Sequence, residues 1–255
     1  MGLSTVTATR WVERWEQQQQ RYAFDREERF TVVADVIEHV TAHSARPLVV
    51  DLGCGPGSLA VRLSGRMPHA RIVAVDMDPV LLELGRAHAR ASVPAAAVRY
   101  VEAVIGAEGW ASRLGLDGPL DAAVSTTAMH YLPCDMLRRV YGELAGMVRP
   151  GGVLVNADHL LPEEAADIAV HVGRRRAGRQ HAFSYEDWES WWAAAERDPE
   201  LTDLFAERRR RTERGSGGNN GLTLNRHAAM LRDAGFRQVG PVWQVGNSCV
   251  LVAVR

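Results

Sequence analysis

The sequence predicts an α/β protein: a doubly wound, mostly parallel sheet covered by helices on both faces, with a helical insertion ahead of its last strands. Three observations predict it. From residue 47 short apolar strands alternate with helical segments, the pattern that right-handed crossovers leave in a parallel sheet. A loop with three glycines, "DLGCGPGS", follows the first of those strands, where open parallel sheets bind ligands. Near residue 162 the alternation gives way to a charged, tryptophan-containing stretch, and it resumes near residue 222.

In chain order, residues 10–43 read as helical, with Trp11, Trp15, Tyr22, Phe24 and Phe30 set among charges ahead of "TVVADVIEHVTAH" in helical periodicity. Then follow "PLVVDLG" as strand, "SLAVRLSGRM" as helix, "RIVAVDMD" as strand, "PVLLELGRAHARA" as helix and "VRYVEAVI" as strand. "LDAAVSTTA" is the fourth strand, "CDMLRRVYGELAGMV" a helix and "GGVLVNADHL" the fifth strand. Residues 163–221 read as two or three helices joined by polar loops, with "GSGGNNG" as a flexible link. The helix "LTLNRHAAMLRDAGF" and the strands "RQVGPVWQV" and "SCVLVAVR" complete the sheet. The domain organisation expected is an N-terminal helical lid (1–45), an α/β core (46–162), a helical insertion acting as a substrate lid (163–221) and a C-terminal part (222–255) that returns to the core.

Composition narrows the function. At 46% hydrophobic and 24% charged residues the chain is an ordinary globular protein, and a net charge of −1 argues against a dedicated nucleic-acid binder. All 30 basic residues are arginine, which excludes any mechanism that depends on lysine. Cys54, Cys134 and Cys249 show neither metal-ligand nor paired spacing, so no metal is expected and a reduced interior is. No signal-peptide segment or membrane-length apolar run is present; cytoplasmic residence is the expectation. A small-molecule substrate is the expected partner, and a homodimer is compatible with the sequence.

The glycine loop decides among ligands. A triphosphate loop needs a Gly-Lys step. A dinucleotide fingerprint needs G-x-G-x-x-G, but Gly53, Gly55 and Gly57 are followed by Ser58 where its last glycine belongs. Asp51, just before the loop, would face a pyrophosphate at unfavourable range and suits a cationic group or loop amides better. Asp76 ends the next strand, where a carboxylate accepts from ribose hydroxyls. Adenosine carrying a positively charged amino-acid tail fits both acids.

"VVDLGCGPGSLAVRL" and "IVAVDMDPVLLELGR" closely resemble the first two motifs of class I S-adenosylmethionine-dependent methyltransferases, and "LDAAVSTTAMHYL" and "MVRPGGVLVNADH" resemble their fourth strand and the turn into the fifth. The resemblance covers about residues 45–160 and the last 30 or so. It implies S-adenosylmethionine as cofactor, with Asp51, Gly53, Cys54, Gly55 and Gly57 around the methionine part, Asp76 on the ribose and Met77 near the adenine. Val104, Ile105 and Ser125 join the cofactor set, and Tyr22 and Arg29 of the N-terminal region would cap the carboxylate end. Val104 departs from the pattern: it stands where the family has an acid on the adenine amino group, and Glu102 points to the other face, so a lower cofactor affinity is expected.

His130, just past the fourth strand, is the candidate general base. Trp188, Trp191 and Trp192 share one helical face, serving either to line the substrate or to pack the insertion onto the sheet. Arg174–Arg176 and Arg208–Arg211 read as solvated faces. The expected activity is methyl transfer to a small molecule, a secondary metabolite. Two alternatives stand beside it: a protein of the same fold that binds the cofactor without transferring methyl, such as a cyclase, and a nicotinamide-dependent oxidoreductase, for which the Tyr-x-x-x-Lys pair is missing.

Overall fold

The computed structural model describes residues 2–92, 98–212 and 219–255. Two N-terminal helices, α1 (Thr5–Gln19) and α2 (Arg26–Thr41), precede β1 (Leu48–Leu52). The alternation continues through α3 (Ser58–Arg66), β2 (Arg71–Asp76), α4 (Pro79–Ser92), β3 (Val98–Glu102), α5 (Trp110–Arg113) and β4 (Leu120–Thr126). A single 3-10 turn, Met129–Tyr131, leads into α6 (Cys134–Met147) and β5 (Val148–His159). The insertion holds α7 (Ala166–Arg179), α8 (Trp188–Glu196) and α9 (Thr202–Thr212); α10 (Leu224–Asp233), β6 (Gln238–Val245) and β7 (Ser248–Val254) close the chain.

The sheet runs β3-β2-β1-β4-β5-β7-β6, parallel except for β7, which lies antiparallel to both of its neighbours. β1 sits between β2 and β4, so the chain winds outward in two directions from the β1–β4 boundary. That boundary is the topological switch point, and the carboxyl ends of its strands open a crevice. β1 is buried at every position, as a central parallel strand covered on both faces must be. One face packs Leu52, Val75, Tyr141 and Leu251 with α6 and α10; the other packs Val49, Val155, Phe30 and Ile37 with α2 and α3.

The single helical run expected over 10–43 is two helices, because Tyr22–Asp25 turn the chain. β3 stops at Glu102, where the Ala103 amide turns to the Asp76 carbonyl (3.0 Å). Of the link "GSGGNNG", residues 215–218 lie outside the described residues. Asn220 is described and well anchored: its amide donates to the His130 carbonyl (2.8 Å) and its side chain to the carbonyls of Met129 and Leu132. Among the described residues no helix is long and apolar enough to cross a membrane.

A third apolar cluster joins the N-terminal helix α1 and the insertion to the core. Trp11 and Trp15 of α1 pack against Trp191, Phe205 and Leu201 of the insertion and Val80 and Leu84 of α4. The Trp11 and Trp15 rings meet Trp191 edge-on at 5.7 and 5.1 Å, a geometry aromatic quadrupoles favour. Trp191 has no exposed surface, which makes it the packing anchor of the insertion and removes it from the substrate-lining set.

Candidate functional site

The glycine loop lies at the carboxyl end of β1, and its shape follows from what crowds it. Gly53 has φ +69° and Gly57 φ +86°, a region closed to most side chains. A Cβ on Gly53 would overlap that of Ala128, and one on Gly57 would overlap the Tyr100 hydroxyl. The amides of Gly53 and Cys54 both turn to the Val75 carbonyl, at 2.8 and 3.0 Å. The loop is therefore a bare backbone cradle held between β2, β3 and the end of β4.

Asp76 organises that cradle. Its carboxylate accepts the amides of Gly55 (2.8 Å), Met77 (2.7 Å) and Asp78 (3.0 Å). Burial pushes this carboxyl above its ordinary range, and the three amides pull the other way. Beside it, Met77 and Val104 are 43% and 50% exposed, two apolar side chains at the ends of the paired strands β2 and β3. An exposed apolar pair of this kind matches the flat faces of a purine.

Asp51 is the unusual member. Its side chain is buried at the end of β1 and neither carboxylate oxygen has a hydrogen-bond partner. Burial pushes its carboxyl up to about 7; the Ala60 amide, outside hydrogen-bond geometry, opposes this and the neighbouring Asp76 charge adds to it. An orphaned buried acid behind a glycine cradle suits a cationic group. The ammonium of S-adenosylmethionine would complete it, so the residues present fit that cofactor.

The remaining candidates have other partners. Ser125 is buried and its hydroxyl donates to the Leu52 carbonyl (2.9 Å), tying β4 to β1. Cys54 packs in the core with its thiol pushed well up by burial, which suits a backbone spacer and not a nucleophile. Ile105 packs against the core. Arg29 is buried, paired with Asp25 at 3.4 Å and reaching the Ala157 carbonyl. The Tyr22 hydroxyl accepts the Trp188 amide (2.9 Å), where the N-terminal region meets the insertion. Glu102 is held by Arg211, and Arg208 lies 3.9 Å above the Trp192 ring while pairing with Asp78 at 2.6 Å. These two arginines are thus no solvated face: they fasten α9 across the ends of β2 and β3.

The carboxyl end of β4 carries the second half of the site. Thr127 has φ +51°, a left-handed conformation costly for a β-branched residue and of the kind stored at functional sites. Beyond it Ala128 packs onto Gly53, and His130 lies in the 3-10 turn that follows. His130 Nδ1 lies 2.9 and 3.0 Å from the two oxygens of Asp158, which is fully buried at the end of β5 and also accepts the His159 amide (2.8 Å). Burial would raise the Asp158 carboxyl, yet the hydrogen bond and charge of His130 outweigh it and hold it below the ordinary range. His130 Nε2 has no protein partner among the described residues, and its ring keeps 15% of its surface open.

Four contributors escaped the sequence reading: Asp158, Trp15, Glu16 and Tyr100. Asp158 carried a usable signal, an acid ending a strand like Asp51 and Asp76. Trp15 stands 3.4 Å from where a Gly55 Cβ would be, and Glu16 accepts from the Ser58 hydroxyl at the start of α3 and from Arg62 (3.0 Å). Through them α1 closes one side of the loop. Among the described residues no cluster has the composition of a metal site.

Residues 49–152 match the sequence model of the family described as "Methyltransferase domain". A trans-aconitate 2-methyltransferase of Methylobacterium radiotolerans is 32% identical over 130 residues, covering 50% of this chain and 44% of the relative. An uncharacterized methyltransferase of Mycobacterium tuberculosis is 36% identical over 115 residues, covering 45% and 51%. The chain spans about half the length of the curated relatives it matches. Among solved structures, the magnesium protoporphyrin IX methyltransferase of Synechocystis with bound S-adenosylhomocysteine shares the fold at a TM-score of 0.58 and 15% identity, covering 96% of this chain and 94% of its own.

Proposed function

We propose, from the match of residues 49–152 to the methyltransferase-domain model, that this chain is a class I S-adenosylmethionine-dependent methyltransferase and that it methylates a small molecule. When bound, the cofactor supplies an electrophilic methyl on a sulfonium. The glycine cradle, Asp51 and Asp76 hold it; Met77 and Val104 flank its base. The observation that carries the reading is the buried, unpartnered Asp51 carboxylate behind the cradle, which a cationic amino-acid tail satisfies.

His130 is assigned the general base. Asp158 accepts from Nδ1–H, which fixes the tautomer that leaves a lone pair on Nε2, and Nε2 takes the proton from the acceptor. Asp158 is a positioning residue, not a catalytic one. Holding acceptor and methyl in line supplies much of the acceleration in such reactions, and the two lid segments are suited to that work. A large helical lid on a fixed core supports tailoring of a secondary metabolite, by analogy of architecture. The described cysteines are free, in keeping with the cytoplasm.

Methyl-labelled cofactor incubated with a fractionated metabolite extract is expected to place label in the small-molecule fraction. His130→Gln should then slow transfer by about 10²–10⁴-fold with the S-adenosylhomocysteine Kd unchanged. Asp158→Asn should leave cofactor binding intact and shift the pH–rate profile. Label confined to precipitated protein or nucleic acid would overturn the small-molecule reading, and failure to bind S-adenosylhomocysteine would overturn the cofactor.

A further inference from the structure

The turn that carries His130 is too short to hold itself. Met129–Tyr131 is a single 3-10 turn, closed by the Tyr131 amide on the Ala128 carbonyl (3.1 Å) and the Leu132 amide on the Met129 carbonyl (3.2 Å). Helical pieces of this length are marginal in water without outside support. The turn also follows Thr127, whose left-handed backbone persists only where surrounding contacts over-determine it. Yet His130 is closely aimed: its Nδ1 lies nearly equidistant from the two Asp158 oxygens, at 2.9 and 3.0 Å.

The outside support comes from one residue far along the chain. Asn220 donates its backbone amide to the His130 carbonyl (2.8 Å) and its side-chain Nδ2 to the carbonyls of Met129 (3.2 Å) and Leu132 (3.0 Å). Three carbonyls within residues 129–132 are thereby taken by a single side chain and its own amide. The carboxamide fits only one way round. Its Oδ1 accepts the Leu222 amide (3.0 Å), and both partners of its nitrogen are carbonyls, so a carboxylate of the same shape would set oxygen against oxygen.

Asn220 is in turn fixed relative to β5. Just beyond it the Leu224 amide donates to the Leu161 carbonyl (2.9 Å) and the Thr223 hydroxyl to Glu163 (2.9 Å), both acceptors lying in the stretch that leaves β5 after Asp158. Residues 220–224 therefore bridge the turn after β4 and the end of β5, the two places from which His130 and Asp158 meet. Resting on the methyltransferase reading above, with His130 as its base, we infer that Asn220 is a positioning residue through which the returning end of the insertion holds His130 on Asp158. It acts through main-chain carbonyls and is not catalytic itself. Such aim matters because a misplacement of about 1 Å can cost about 10²-fold in rate.

The test uses the full chain saturated with S-adenosylhomocysteine and carrying isotope-labelled histidine, observed by NMR. The His130 signals are those missing from the His130→Gln spectrum, and the wild type is expected to show a downfield His130 Nδ1–H proton that exchanges slowly with water. Asn220→Asp should abolish that signal and slow transfer of labelled methyl to the metabolite extract by about tenfold to hundredfold, with the S-adenosylhomocysteine Kd unchanged. Asn220→Ala removes the same side-chain bonds without adding a charge and should act in the same direction. Asn219→Ala is the control, since the Asn219 side chain accepts the Gly221 amide (2.8 Å) and leaves the turn alone; it should match the wild type. A wild type without the Nδ1–H signal, or an unchanged signal in both Asn220 variants, would overturn the inference. Loss of cofactor binding and of spectral dispersion together in both would also overturn it, making Asn220 a folding element only. The underlying reading is judged apart: methyl transfer by His130→Gln at the wild-type rate fails the base, whereas a slow His130→Gln beside a fast Asn220→Asp fails the positioning alone.

Discussion

At pH 8 the ligand-free Asp51→Asn protein is expected to melt several degrees above the wild type and to bind S-adenosylmethionine more weakly. The Asp51 carboxyl is raised on folding from 3.8 to about 7, so the folded state binds the extra proton between those values. Stability from this group is fully present below pH 3.8, falls as pH rises, and reaches its floor above 7. The loss at that floor is about 4 kcal/mol. Asparagine removes the charge but leaves an unpartnered amide that costs about 1–3 kcal/mol, so a net gain of about 1–3 kcal/mol remains, or roughly 2–12 °C for a chain of this size. On the proposed reading the cofactor's ammonium gives the wild-type carboxylate a partner and reverses the sign. Thermal shift with S-adenosylhomocysteine should therefore grow from pH 5.5 to pH 8 in the wild type and stay flat in Asp51→Asn. Equal ligand shifts at both pH values in the wild type would show that the ammonium does not reach Asp51.

Asp76→Ala should lower S-adenosylhomocysteine affinity by about 10²–10⁴-fold. Two charge-assisted hydrogen bonds to ribose contribute about 1.5–3 kcal/mol each, and the same side chain shapes the site by holding the amides of Gly55, Met77 and Asp78. Asp76→Asn keeps the volume and one acceptor oxygen, so its affinity should fall between the two. Calorimetry at one pH measures all three proteins, and an alanine variant with wild-type affinity would rule out the ribose assignment.

The legible parts of this molecule are those written in local chemistry. Strand and helix periods survive in any short window, and glycines at Gly53 and Gly57 announce positive φ because side chains are barred there. The rest depends on partners far away in the chain. Asp158 meets His130 only because β4 and β5 lie side by side in parallel register. Arg208 and Arg211 look like solvent-facing charge within "ERRRR", yet their acids, Asp78 and Glu102, precede them by 130 and 109 residues. The turn at Tyr22–Asp25 has no glycine or proline to mark it, so two helices read as one. Tyr22 and Arg29 read from the sequence as caps of the cofactor's carboxylate end, whereas in the fold Tyr22 meets the Trp188 amide of the insertion and Arg29 pairs with Asp25. Of the tryptophan trio, periodicity shows a shared face but not its occupant, and Trp191 lies in the core.

The fastening of α9 bears on timing. Arg208 and Arg211 bind acids at the ends of β2 and β3, beside the residues proposed to hold adenosine, so on that reading two ion pairs stand across the exit of spent cofactor. Both pairs touch solvent and are open to screening, whose range shrinks from about 8 Å at physiological ionic strength to about 3 Å at 1 M salt. Residence time on the protein is then a function of ionic strength. In stopped-flow chase experiments the off-rate of S-adenosylhomocysteine should climb with added salt, and Arg211→Ala should flatten the climb; an off-rate indifferent to salt would mean that α9 stands clear of the exit.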